Sequence, residues 1–539
     1  MHTPARTRVR AWRTLFAVFV ALALLATACG SDSAEPVVDT QAVDDANAAA
    51  AAAQERADEL EAELEEARSA AEAAGDDSDA AAALEEAEAA LADAEAAAAD
   101  AESRAADAEA AAEEAAAAAA SAGDGEATRS INVAVVGNPA MIDIEELTPE
   151  YFTAETGIEV NYTVLDEQTL REITTRDLGT GGDQFDVAMI GMFEAPQFGA
   201  NDWLFNLNTF ANNDPDYNVD DLIPAVRGGL SANGNLYAAP FYAESSFVMY
   251  RADLLEAAGQ TMPEAPTWDE VAAIARAVDT DDVAGICLRG KPGWGDLGAA
   301  FTTVLNTFGG TWWSANEDGS IGTSQVDQPE FLAALDFYVD LLQDAGEDDA
   351  ANSSFGECLT LYNEGKVAMW YDATVAASFF EPEVLEVSDF ALAPTNVTDA
   401  SGWLWAWSLA IPASSSDPAT AWEYISWATS AEYHEQLAGE KGWVAVPPGT
   451  RTSLYERPEY LEAAEAFAQR TLDAMNAAPI NNPGTTPRPG LPGVQYVGVP
   501  EFQDLGTRCT AEISAAIAGS QSTADAQAAC HAIAQEFES

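Results

Sequence analysis

Apolar and polar positions follow two rhythms along the 539 residues. From 41 to 122 the rhythm is helical and nearly all alanine. Leu84, Ala87, Leu91, Ala94, Ala98, Ala101, Ala105, Ala108 and Ala112 step by three and four, the a/d spacing of a heptad. An earlier stripe runs through Leu60, Leu64, Ala67, Ala71 and Ala74. Between the two, Gly75-Asp76-Asp77-Ser78 reads as a C-cap, a turn and an N-cap. Two helices of about 50 and 65 Å are expected at about 1.5 Å per residue. A close-packed hairpin, one kinked rod and a partly disordered acidic tether all fit this composition, because alanine buries little area and the charge density is high.

Beyond a linker at 123–130 the rhythm shortens. Residues 131–136 form an apolar run closed by Gly137-Asn138-Pro139. Residues 147–156 read as a helix, 158–164 alternate as a strand, 170–178 read as a helix and 185–190 as a third strand. Strands alternating with helices predict βαβ units and a parallel sheet. Further helices are predicted at 267–278, 329–345, 418–430 and 458–475, several opened by proline or a Thr-Trp-Asp-Glu cap. Roughly 410 residues exceed one ordinary core, so two α/β lobes are expected.

The N-terminus carries Arg6, Arg8, Arg10 and Arg13, then an apolar stretch at 15–28, then Cys29. A basic head, a short apolar body and small residues are the layout of an export signal. Leu24-Leu25-Ala26-Thr27-Ala28-Cys29-Gly30 resembles a bacterial lipobox, although Ala26 stands where that pattern favours Leu, Val or Ile. The resemblance implies removal of 1–28, acylation of Cys29 and an extracytoplasmic chain anchored by lipid to the outer face of a membrane. No later segment reaches the roughly 18 apolar residues of a spanning helix. Residues 29–128 then form a stalk and linker that lift a domain at 129–539 off the membrane.

Acids outnumber bases 91 to 22, for a formal charge of −69. Such a chain excludes nucleic acid, whose phosphates require Lys and Arg. Its self-repulsion fits a saline habitat or a compositional bias of the host. Besides Cys29 there are Cys287, Cys358, Cys509 and Cys530. Four cysteines outside the cytoplasm read as two disulfides with three connectivities open, of which Cys287–Cys358 with Cys509–Cys530 is preferred.

No GxSxG, HExxH, GxxxxGK[ST] or strand-borne GxGxxG occurs, and no Cys/His cluster points to a metal or cofactor. His434 sits among charged neighbours in Ala431-Glu432-Tyr433-His434-Glu435, where a surface position outweighs a catalytic one. The informative pattern is aromatic residues mixed with polar ones in loops and at strand ends. Gly402-Trp403-Leu404-Trp405-Ala406-Trp407 sets three indoles on one strand face. Arg289, Lys291 and Trp294 share a glycine-rich loop. Asp372 follows a strand, Tyr242 and Glu244 follow Pro240, and Trp443 precedes Pro447. Indole faces cover the C–H surfaces of a sugar or polyol, and carboxylates and guanidinium groups bond its hydroxyls. Trp268, Trp312, Trp422 and Trp427 read as core.

These segments resemble the extracellular solute-binding proteins of ABC sugar importers over about 130–530, and within them the branch for sorbitol- and mannitol-type polyols. The stretches at 185–203, 237–250, 285–295, 365–377 and 402–415 carry the resemblance most specifically. It implies a two-lobed periplasmic-binding-protein-like fold with ligand in the cleft, lobe one at about 130–241 and 371–412, and lobe two at about 242–370 and 413–539. It further implies that 240–244 crosses between lobes. Glu194, Glu244 and Asp372 would accept from hydroxyls, and Arg289 would donate from the far lobe. Trp294, Trp403, Trp405 and Trp443 would give apolar faces, with Tyr242 in the crossing segment and Asn138 at the end of the first strand. The implied partners are a polyol or sugar and the transmembrane permease; no catalysis is implied. The residues alone leave open a secreted carbohydrate-active hydrolase and an envelope protein that binds cell-wall glycan.

Overall fold

A computed structural model describes residues 129–316, 318–488 and 490–538. The signal segment, Cys29 and the alanine-rich stalk lie outside the described residues.

The first sheet is built on β1 (Arg129–Val136), β2 (Ile158–Leu165) and β3 (Val187–Gly191), with β1 parallel to both neighbours. The βαβ rhythm at the start of the domain is therefore real. The helix α1 (Pro139–Thr148) starts where Asn138 accepts a bond from the Met141 amide at 3.2 Å and Pro139 takes the first turn. The helix α2 (Glu167–Thr180) is capped by Asp166, which accepts from the Thr169 amide, and ends at Gly181. Two further strands, β4 (Ala239–Glu244) and β8 (Trp405–Ala410), complete the sheet in the order β2-β1-β3-β8-β4, with β8 antiparallel to both neighbours.

The second sheet has β5 (Ser246–Arg251) at its centre, flanked by β6 (Met369–Ala373) and β7 (Ser388–Leu392), both antiparallel. Only Ser245 separates β4 of one sheet from β5 of the other, so the chain crosses between sheets at Glu244-Ser245-Ser246. It returns between β7 and β8. All these elements belong to one unit that begins at Thr128.

Helices cover both sheets. The helix α3 (Trp268–Val278) opens with a reciprocal Thr267–Glu270 capping box and buries Trp268. The helix α4 (Leu297–Thr307) is buried along its whole length, which is why no amphipathic period marks it in the sequence. The expected helix at 458–475 is two pieces, Pro458–Ala463 and Ala468–Ala477. The break turns Phe467 inward against Phe390, ring centroids 5.9 Å apart.

Two parts of the expected lobe division need correction. Residues 369–392 were assigned largely to lobe one, yet β6 and β7 pair with β5 in the second sheet. Residues 418–441 were assigned to lobe two, yet α6 (Pro418–Ala428) packs on the first sheet. Its Tyr424 hydroxyl lies 2.8 Å from that of Tyr162 on β2, and Glu423 pairs with Arg129 on β1. The aromatic face of α6 decides this: Tyr424 and Trp427 stack around Phe152. The last helices, α8 (Glu501–Ile517) and α9 (Thr523–Gln535), join the second lobe, where Gln343 of α5 (Pro329–Ala345) donates to the Ala516 carbonyl.

The disulfides Cys287–Cys358 and Cys509–Cys530 close loops of 71 and 21 residues. The second ties α8 to α9. His434 is a correction of another kind. It is 4 % exposed, on the inner face of α7 (Ala431–Lys441) with Tyr433 and Leu437. Its charged sequence neighbours line the opposite face and conceal the apolar one. No helix among the described residues is long and apolar enough to cross a membrane.

Candidate functional site

Two adjoining cavities lie where the sheets face each other. Glu167, Glu244, Arg289 and Trp407 line both. The smaller cavity adds Arg171, Trp294, Trp403, Trp405 and Gln495. The larger adds Asn138, Tyr242, Lys291, Asp296 and Ser354.

Local structure delivers these side chains. On β8, Trp405 and Trp407 are two residues apart and share a face. Trp405 lies opposite Glu244 of β4, and Trp407 opposite Tyr242. The strand can carry such bulk because its other neighbour offers Gly191, where a Cβ would lie 1.9 Å from the Trp405 ring. The first turns of α2 place Glu167 and Arg171 four residues apart, on one helix face. Both stand just beyond the carboxyl end of β2, where open α/β sheets bind ligands.

Arg171 is the hub of the smaller cavity. Its guanidinium carbon sits 4.2 Å from the Trp294 ring centroid, 4.6 Å from Trp407 and 4.9 Å from Trp405. Its Nη1 donates to Glu194 at 2.6 Å and its Nη2 to Glu167 at 2.8 Å. Glu194 also accepts from the Gly191 amide at 3.0 Å. The cation is thus held by charge on two sides and by three indole faces. The glycine at 295 keeps its edge clear, since a Cβ there would meet Arg171 Nε at 2.6 Å.

Arg289 is the hub of the junction. It makes two 2.8 Å bonds to the Asp372 carboxylate, in fork geometry. Its third nitrogen donates to the Gly295 carbonyl at 3.1 Å and reaches Glu167 at 3.4 Å. Asp372 accepts in addition from its neighbour's amide, Ala373, and from the Trp370 indole. Glu167 therefore bridges two guanidinium groups, one from each side of the cleft.

Two carboxyls of the site are held less tightly: Glu244 forms no ion pair among the described residues, and Asp296 Oδ1 reaches Arg289 Nη1 only at 3.6 Å. Burial holds Glu244 well above the usual carboxylate range, because the nearby arginines are countered by Asp372 and Glu167. Asp296 is pushed up to about 7, by burial first and then by the charge of Glu167. It accepts from the Ser354 hydroxyl. Five buried polar atoms of residues lining the smaller cavity have no hydrogen-bond partner in the protein: Arg171 Nε, Glu244 Oε2, Trp294 Nε1, Trp403 Nε1 and Gln495 Oε1. Buried polar atoms are rarely left alone. Unpartnered donors and acceptors on residues that share a wall with indoles match a small molecule rich in hydroxyls.

Of the residues singled out from sequence, Asn138, Tyr242, Glu244, Arg289, Trp294, Trp403 and Trp405 come together at these cavities. Asn138 donates to the Tyr242 hydroxyl at 3.0 Å. Glu194 and Asp372 lie one layer behind, each holding an arginine. Trp443 does not join them: it is half-buried in a short turn of helix, with Arg457 at 5.4 Å over its ring. Trp294 is both buried and a wall of the cavity. Sequence reasoning missed Glu167, Arg171, Asp296 and Gln495. For the first two a signal existed, an i,i+4 acid–base pair directly after a parallel strand.

The family model for bacterial extracellular solute-binding proteins matches residues 138–435. The mannitol-binding protein of Pseudomonas aeruginosa is 41 % identical over 416 residues, covering 75 % of this chain and 92 % of that one. The erythritol/L-threitol-binding protein of Mycolicibacterium smegmatis is 24 % identical over 365 residues, covering 61 % and 71 %. Among solved structures, an ABC transporter solute-binding protein of Agrobacterium vitis with bound D-mannitol superimposes with a TM-score of 0.73 at 44 % identity, covering 76 % of this chain and 98 % of that one. A maltose-bound protein of T. maritima shares the fold at 22 % identity, with a TM-score of 0.63 over 76 % of this chain and 98 % of its own.

Proposed function

The chain belongs to the bacterial extracellular solute-binding protein family, and on that premise we propose that its cleft captures a polyol of the mannitol class for delivery to an ABC permease. The observation that carries the ligand class is the set of five unpartnered polar atoms on residues that line the smaller cavity together with Trp405 and Trp407. A neutral polyol offers hydroxyls that both donate and accept, along a chain whose C–H edges lie against indole. Arg171, Arg289, Glu167 and Glu244 bond the hydroxyls, while Glu194 and Asp372 hold the two arginines in place. Asn138 and Tyr242 shape the far end. Ligand bound to residues of both lobes favours the closed form, which is the state a permease reads.

The chain performs no chemistry on this ligand; family and relatives are binding proteins of transporters. Cys29 anchors it by lipid on the outer face of the membrane, and residues 29–128 act as the stalk. The Arg-rich head and apolar stretch before Cys29 support that reading. Wild type would partition into detergent and Cys29→Ser would not.

Thermal melting with D-mannitol, sorbitol, ribitol and maltose tests the ligand class. Ligand at 100 times its Kd adds about 2.7 kcal/mol. A clear shift with mannitol or sorbitol and none with maltose is expected. No shift with any polyol, or loss of mannitol on incubation, overturns the reading.

A further inference from the structure

Glu244 is placed differently from every other carboxylate of the cleft. It is 5 % exposed, ends β4 at the crossing between sheets, and lines both cavities. Its Oε2 has no partner in the protein. The groups around it are Tyr242 from its own strand, Glu167 and Arg171 from α2, Arg289 from the loop at 289–296 and Asp372 from β6, with Lys291 and Asp296 lining the larger cavity beside it. Neither guanidinium is bonded to it. Arg289 is committed to Asp372, Gly295 and Glu167, and Arg171 to Glu194 and Glu167. Glu167, Glu194 and Asp372, with Asp296 3.6 Å from Arg289, already outnumber the two guanidinium cations before Glu244 is counted.

Ionising a further carboxyl there would bury a charge bonded to neither guanidinium, a cost that proteins avoid by retaining the proton. We propose that Glu244 is carried as a neutral carboxylic acid and donates its proton in a hydrogen bond to a ligand hydroxyl, opposite to the acceptor role its residue type implies. This deepens the polyol reading and rests on it. A carboxylic acid presents one donor and one acceptor, so it can bond two hydroxyls, or one hydroxyl as both partners. It also makes the site neutral-selective: a sugar acid would set a fresh carboxylate against Glu167 without gaining a free cation.

D-mannitol affinity should be measured by calorimetry from pH 6 to 9 for wild type, Glu244→Gln and Glu244→Ala, all in an Asp296→Asn background that removes the neighbouring titration. The amide keeps a donor and an acceptor. E244Q is expected within about tenfold of the parent with a flat pH profile, and E244A down by about a hundredfold, the range for a buried hydrogen bond lost. Parent affinity should fall at the alkaline end. An E244Q loss as large as that of E244A, with parent affinity constant to pH 9, overturns the proposal in favour of an ionised acceptor. Difference infrared spectra give an independent reading: a protonated carboxyl band at pH 8 that disappears in E244Q. If the parent binds no polyol at all, the ligand assignment fails, while the infrared band still decides the state of Glu244.

Discussion

Arg289 grips Asp372 through two parallel bonds of 2.8 Å, with both side chains almost wholly buried. Arg289 lines both cavities, whereas Asp372 lines neither. Removing one partner of a buried pair leaves a stranded charge and costs about 3–5 kcal/mol. Asp372→Ala is therefore expected to lower both the apo melting temperature and polyol affinity. Asp372→Asn, which keeps the shape, should spare more of the former. An Asp372→Ala protein with a wild-type melting curve would show that the carboxylate is not needed to offset Arg289.

Asp296 carries a different signature. Its folded value of about 7 lies above the unfolded 3.8, so the native state holds this proton more tightly. The contribution favours folding in acid and is lost as pH rises from about 4 to 7. Asp296→Asn should therefore gain stability over wild type as pH increases, by about 3 kcal/mol more at pH 8 than at pH 4.5, at 1.36 kcal/mol per unit. Urea denaturation at the two pH values measures it. A gain independent of pH would mean that Asp296 titrates normally.

Much of this architecture is legible in the chain. The apolar runs at 131–136 and 185–190 become β1 and β3, and the Trp-x-Trp alternation becomes a cavity wall, because both rest on local periodicity. The crossing near Glu244 is implied by the resemblance to solute-binding proteins, and it accounts for a polar acid embedded among aromatics. What is not legible depends on tertiary choice. Glu167 and Arg171 form an i,i+4 pair directly after a parallel strand, but nothing in α2 says which of its faces meets Trp294 in a distant segment. Glu194 and Asp372 look like ligand acceptors until the arginines they hold are located. The placement of α6 depends on Tyr424 meeting Tyr162, a contact between distant segments that no window of sequence contains.

His434 was hidden by its neighbours in the same way, and its burial has a consequence for acid stability. Burial, then the nearby Arg451, pushes its imidazole down to about 3. The folded value lies below the unfolded one near 6.5, so stability is fully present above pH 6.5 and is lost as pH falls toward 3. Between pH 7.5 and 5 this residue should cost wild type about 2 kcal/mol at 1.36 kcal/mol per unit. His434→Gln should lack that part of the slope, whatever its stability at pH 7.5. Parallel slopes for the two proteins, in denaturant unfolding at pH 5, 6 and 7.5, would place His434 in water.

Arg171 tests whether the tryptophan cage is packing or recognition. A planar guanidinium stacks on indole and forks to carboxylates, whereas an ammonium is a compact, strongly hydrated point charge. Arg171→Lys keeps the charge that offsets Glu194 and Glu167 but not the geometry over Trp294, Trp405 and Trp407. Arg171→Met removes both. If the cage serves recognition, Arg171→Lys should fold near normally yet lose about tenfold or more in mannitol affinity, the scale of a desolvated cation–π contact. Arg171→Met should in addition lose about 3–5 kcal/mol of stability, because Glu194 is then buried without its partner. Tryptophan emission supplies a readout from the site itself: ligand should shift it in wild type, and less in Arg171→Lys. Wild-type affinity and an unchanged emission response in Arg171→Lys would make the cage a structural core and leave ligand recognition to Arg289 and Glu244.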